Sequence, residues 1–422
     1  MASALALVLG SLAAAYAFPP LFGLLFSDMQ KFSIRLRDKY GLPIYALRMP
    51  GQRIYSVSSL SLITPLQRQS KTIAFAPIEA QAAANVMGVG SAENAVIGSP
   101  KMLDDGSYLS TFVPSVHPGL SPGLGLDALN AAAFQYLSTT TEATYRPKNP
   151  FGDPIVQEAW YTFEPSIMVH MLKAWPSVLA RKILRAREQI LIPAFEKYFA
   201  EDGHLQGSVL AQCRYQHNTG HGLRGRDAAT TGIGQMVASL VNSVGSAFWM
   251  IYHVFSDLVV LGDCRKEVEQ LVQEDDDGET LRYMHISIAA RVHTDASIWG
   301  PTVGKFDHHR FLRVPGKKRT NPAAFRSFGG GTVLRPGRHF VSTEVLSFAA
   351  MFLLCFELKP STKRGKWVQP AMNFPMTSSM PTPKDRLAIE IIPRDSREWR
   401  MGFSASNKGV NMVAEDVVND DK

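Results

Sequence analysis

Between Thr231 and Ser256 the chain carries no Asp, Glu, Lys or Arg, and its apolar residues run all the way round a helix of that length. A helix that is apolar on every side has to be enclosed, so the rest of the chain must wrap around it. Apolar residues also recur with helical spacing over 126–143, 155–175, 178–200, 228–256 and 341–358. Strand signals are fewer. Ile44 to Met49 and Arg53 to Val57 are joined by ProGlyGln and read as a hairpin, placed after an amphipathic helix over 28–41 that stops at Gly41. These patterns predict a mainly α body with small β-sheets. With 45% hydrophobic and 19% charged residues in 422, the chain can enclose one large core, and neither a repeat nor a Gly/Ser linker divides it. The expected organisation is a segment 1–27, one body over 28–412 and a polar tail over 413–422.

Met1 to Ser27 holds no charge and is dominated by Ala, Leu, Val and Phe, while Lys31, Arg35, Arg37 and Lys39 follow at once. About 20 apolar residues suffice to cross a bilayer as a helix, and positive charge beside a first span is kept on the cytosolic side. The expectation is a single-pass anchor with a cytosolic body. A signal peptide ending near Ala15, Tyr16 and Ala17 is the competing reading, but it lacks the basic stretch that precedes such an apolar run. Pro19 and Pro20 would stop or kink the helix, which also allows monotopic insertion. The formal charge of +7 is spread out, with no basic run longer than Lys317, Lys318 and Arg319. Nucleic acid is therefore not an expected partner, because its footprint needs clustered charge. Cys213, Cys264 and Cys355 lie far apart and match neither a disulfide framework nor a zinc spacing.

Three short motifs fail on mechanism. Gly119 to Gly123 spell GxSxG, but Pro122 has no N–H for the oxyanion hole that the residue after such a serine must help to build. Gly220 to Gly225 spell GxGxxG without a buried strand before them, so they are expected to be a loop. His308 and His309 are adjacent, chain neighbours rarely point at one metal, and no third ligand stands at a sensible spacing. No metal site is expected from them.

The informative residues lie between Glu279 and Phe340. Glu279 and Arg282 stand three apart, where one helical face could join them as a charge-assisted fork. Phe306 to Phe311 place Arg310 between aromatics, and PheGlyGlyGlyThrValLeuArgProGlyArgHisPhe then runs into an apolar helix. In this order, an ExxR helix, an FxxxRF segment and a glycine-rich loop entering a helix resemble the C-terminal signature of cytochrome P450. The resemblance implies a cytochrome P450-like fold, with Glu279, Arg282 and Arg310 as a buried structural triad. It also implies that Phe328, Gly331, Arg335, Gly337 and Arg338 lie on the cofactor-binding side of a haem.

AsnSerValGlySerAlaPheTrp at 242–249 is similar to the distal helix of the subgroup that includes prostacyclin synthase and the bile-acid hydroxylases. The resemblance implies catalytic positions at Asn242, Ser243 and Ser246. For the residues themselves two readings stay open. Their polar groups face a buried ligand, or the serine hydroxyls bond back to helix carbonyls while Gly245 permits close packing. PheAlaProIleGluAla near residue 75 and HisProGlyLeuSerProGly near residue 117 are reminiscent of fungal members of the same subgroup.

One departure outweighs the rest: the slot for the iron's cysteine ligand holds Arg335, followed by Pro336 and Gly337. A thiolate pushes electron density onto the iron to favour O–O cleavage. An arginine is permanently cationic and has no acceptor lone pair, so it can do neither job. His339 is the one nearby nitrogen donor, a turn into the helix. After Arg282 there is also no room for the strand hairpin expected of the family, and the connection between Glu269 and Glu279 is short, so the fold is expected to be somewhat truncated. Loss of a strand and a ligand together is what a drifting gene would produce; the alternative is repurposing. Taken whole, the resemblance implies a membrane-anchored fungal monooxygenase of the endoplasmic reticulum that uses haem and NADPH-cytochrome P450 reductase to oxidise a lipophilic small molecule of secondary metabolism. Taken with Arg335, it implies a catalytically degenerate or non-oxidative relative, an isomerase, a cyclase or a binding partner.

Overall fold

The computed structural model describes residues 29–49, 52–57, 59–69, 74–135, 140–167, 181–270, 273–274, 280–281, 296–311, 324–325, 327–329, 334–362, 365–373 and 380–395. The segment 1–27 and the tail 413–422 lie outside them. Among the described residues the architecture is mainly α, with four two-stranded antiparallel sheets. The first is the expected hairpin, Ile44–Met49 against Gln52–Val57, in a register that pairs Ile44 with Val57 and Met49 with Gln52.

The charge-free segment becomes the helix Arg226–Phe255, longer than any other among the described residues. Asp227 in its first turn complements the positive end of the helix dipole. The first half of this core helix is enclosed by an aromatic-rich cluster in which Phe163, Leu191, Ile192 and Phe195 are completely buried. Gly232 explains how closely the partners approach: a Cβ there would stand 2.7 Å from Cδ1 of Phe195. The last turns, at Val254 and Phe255, pack with Val260, Leu261 and Val268 of helix Leu258–Gln270 and with Leu353 and Leu354 of helix Arg338–Cys355. The core helix and Arg338–Cys355 are both long and apolar enough to cross a membrane by length and composition. Here each packs one part of its surface into the core clusters, while Val244 and Phe348 stay exposed, so the enclosure expected of the charge-free segment is only partial.

Local sequence sets many helix ends. Asp153 caps Pro154–Phe163 by accepting the Ile155 N–H at 2.8 Å, with Pro154 at the first helical position, where its missing N–H costs nothing. Ser208 caps Val209–Gly220 through the Ala211 N–H at 3.2 Å. The helical spacing over 155–175 is only partly realised, because the helix tightens into a 3₁₀ turn at Glu164–Ser166 around Pro165, and 168–180 lie outside the described residues. The spacing over 126–143 is divided between Leu124–Gln135 and Thr140–Tyr145. That over 341–358 ends at Cys355, and Phe356–Pro360 instead pairs with Ile389–Pro393.

A helix was also expected through the ExxR residues. Thr280–Leu281 forms a short strand against Gln273–Glu274 instead. The intervening AspAspAspGly is strong turn chemistry, which favours a hairpin over a helix. Glu279 and Arg282 themselves lie outside the described residues.

Candidate functional site

The C-terminal loop is tied at its neck by the Arg335 N–H, which donates to the Phe328 carbonyl at 3.0 Å. Gly329 takes φ +87, a left-handed conformation open to glycine, so the backbone can reverse directly after Phe328. Gly337 then caps helix Arg338–Cys355, and the Arg338 N–H reaches back to the Arg335 carbonyl at 3.4 Å. Phe328, Arg335, Gly337 and Arg338 are thus gathered on one loop and helix start, while Gly331 lies outside the described residues. Arg335 keeps an exposed surface, yet desolvation lowers the pKa of its guanidinium.

The side chains along this loop do not fit a haem held through sulfur. The side chain in the slot is a guanidinium without a lone pair. Cys355 stands at the far end of helix Arg338–Cys355, roughly 27 Å along its axis. Cys213 and Cys264 belong to other helices, Val209–Gly220 and Leu258–Gln270. His339 is 5% exposed and enclosed in the first helical turn. Among the described residues the neck of the loop is hydrogen-bonded, and the three cysteines stand on helices away from it.

On the core helix, the Ser243 hydroxyl donates to the Ser239 carbonyl and the Ser246 hydroxyl to the Asn242 carbonyl at 2.9 Å. Both protons are directed to the helix itself, so neither serine is poised as a proton donor toward a ligand. A Cβ on Gly245 would meet Met380 Cβ at 3.3 Å, and Trp249 Nε1 donates to the Pro381 carbonyl at 2.7 Å. This stretch of the helix is therefore a seat for residues 380–381. Arg310 donates to the carbonyls of Trp299, Thr302 and Lys305 at 3.4, 3.0 and 2.9 Å. Among the described residues its partners are these carbonyls, which brace the segment leading toward the loop.

Two further carboxyl groups and a cluster that includes the His308–His309 pair stand out in the structure. Glu344, facing the protein interior from helix Arg338–Cys355, accepts the Thr140 hydroxyl at 2.6 Å, and burial pushes its pKa up to about 7. Its signal was available, since it is the one charged residue between Arg338 and Glu357. Glu93 is fully buried against Thr230 at the start of the core helix, with its pKa raised to about 8 chiefly by desolvation. Thr230 also reaches the Asp227 carbonyl at 2.8 Å, so it can direct its proton there and accept one from a neutral Glu93. The cluster joins Asp263 to His308 and His309 across the tertiary structure. Nothing local in the sequence pointed to Asp263.

The Gly119–Gly123 run ends one helix and turns toward the next, and Gly220–Gly225 links the helices Val209–Gly220 and Arg226–Phe255 with no strand before it.

No family model matches the chain. It is similar to the cytochrome P450 monooxygenase nodJ of Hypoxylon pulicicidum, with 27% identity over 452 residues, covering 87% of this chain and 85% of the relative. It is also similar to a cytochrome P450 monooxygenase of Gibberella zeae, with 22% identity over 460 residues, covering 88% and 86%. These similarities support placement in the cytochrome P450 superfamily, and the helical body with its small antiparallel sheets is consistent with a P450-like fold. They likewise support a P450-type monooxygenase scaffold, for which haem and a reductase are the general accompaniments.

Proposed function

We propose that this chain uses the cytochrome P450 monooxygenase scaffold to bind and shape a lipophilic small molecule of fungal secondary metabolism without carrying out thiolate-driven oxygenation. Arg335 carries this reading: the loop around it keeps its hydrogen-bonded neck, and the residue in the ligand slot cannot coordinate iron. The protein's own contribution is then binding and orientation, as in an isomerase or a cyclase, or as the partner of an active relative. The uncharged segment 1–27 with the basic residues after it supports an anchor in the endoplasmic reticulum membrane and a cytosolic body, close to where apolar metabolites partition.

A second reading is an active monooxygenase working with NADPH-cytochrome P450 reductase. The similarity over most of the chain to two proteins named as monooxygenases favours it. Haem content and the spectrum of the reduced, CO-treated full-length protein separate the two. The first reading expects no thiolate-type Soret band; a stoichiometric one overturns it. Arg335→Cys sharpens the result. Gain of stoichiometric haem would make the lost sulfur the main defect, whereas failure to gain it would implicate the shortened region around 270–292.

A further inference from the structure

We propose that Asp263, His308 and His309 form a divalent transition-metal site, best suited to Zn²⁺, that fastens the segment before the C-terminal loop to helix Leu258–Gln270. His308 Nε2 stands 3.0 Å and His309 Nε2 3.9 Å from Asp263 Oδ2, and the ligand atoms of the three residues all lie within 4.8 Å of one another. Bonds of about 2.0–2.2 Å in a tetrahedral site set its edges near ~3.4 Å. The His308–Asp263 edge is therefore already close, and the exposed His309 ring has to swing in by on the order of 1 Å. Two imidazoles and a carboxylate are a borderline donor set that suits zinc and its neighbours better than magnesium or calcium, and they leave a fourth position for water.

Adjacent histidines can converge here because they occupy a turn, where successive side chains need not alternate as on a strand. Their ring centroids are 3.8 Å apart. The backbone beneath them is fixed in advance: the His309 N–H donates to Asp307 Oδ1 at 3.0 Å, and the Arg310 N–H to the Asp307 carbonyl at 3.2 Å. Arg310 braces the same segment through three carbonyls, and Phe306 stacks on His253 of the core helix with centroids 4.6 Å apart.

The site is independent of whether the protein binds haem, so its test stands apart from the one above. The full-length protein is titrated with ZnCl₂ by calorimetry, and Co²⁺ is added to a parallel sample for its visible absorption. One saturable site with a tetrahedral Co²⁺ spectrum is expected. His308→Ala, His309→Ala and Asp263→Asn should each weaken it on the order of tenfold or more, since even changes one shell away from a metal have effects of about that size. All three side chains keep solvent-exposed surface, so these variants should fold. Hydrogen exchange over 296–311 should slow on adding ZnCl₂ in the unsubstituted protein alone. Absence of saturable binding, or binding that survives all three substitutions and so resides on other histidines, overturns the proposal.

Discussion

The helical half around Phe195 and the C-terminal cradle around Arg335 are held together in different ways. Around Phe195, order comes from side chains filling one another's space: Tyr145 meets Phe195 edge-on at 5.4 Å, Phe151 at 6.2 Å, and Gly232 leaves room for the ring. Around Arg335, order comes from hydrogen bonds: the backbone neck bond to Phe328, the three carbonyls that take the Arg310 guanidinium, and Glu344 with the Thr140 hydroxyl. Packing is a property of many residues at once, so it resists single changes less than it resists drift. A loop held by its backbone keeps its shape when one side chain is exchanged, because the main chain is common to every residue. A change of side chain at position 335 should therefore leave the neck bond to Phe328 in place.

Experiments can break or sharpen this contrast. Phe195→Ala should be the most damaging, costing about 3–5 kcal/mol, because a fully buried ring among aromatics leaves a cavity that its neighbours cannot close. Chemical denaturation of the variant measures this directly, and a cost below about 1 kcal/mol would mean that the helical half is not packed as described.

Glu344→Gln probes the cradle side. With a folded pKa raised to about 7 from an ordinary value of 4.5, Glu344 favours the folded state in its neutral form. Its effect on stability is absent below about pH 4, grows as a penalty while pH rises through 7, and then levels off. Up to about 3 kcal/mol of stability is lost over that window. Glutamine, which cannot ionise, should flatten this part of the stability–pH curve. An unchanged curve would show that the acid is solvated.

Arg310→Lys should have the smallest effect, about 1 kcal/mol, because a single ammonium cannot span three carbonyls as a guanidinium does. Its signature is local: faster hydrogen exchange across 296–311 with little change in global unfolding. A large global loss would instead indicate that Arg310 is part of the buried triad implied by the family resemblance.

Much of the fold was legible because burial imposes a period on sequence. The charge-free stretch from Thr231 became the core helix, and the two strands on either side of ProGly paired as expected. Between the positions of the ExxR residues, Thr280–Leu281 pairs as a short strand with Gln273–Glu274, where helical spacing alone would have placed a helix. The serines of the core helix could be read in two ways, and only coordinates show their hydroxyls directed to the Ser239 and Asn242 carbonyls.

What the sequence determined alone were the properties that each residue carries with it: apolar periodicity, turn chemistry, and the inability of an arginine to ligate iron. What the tertiary structure decided were meetings between distant residues, Glu344 with Thr140, Glu93 with Thr230, and Asp263 with two histidines. Those depend on how whole helices pack, and the packing sums many weak contacts spread over the chain, so no local stretch encodes it.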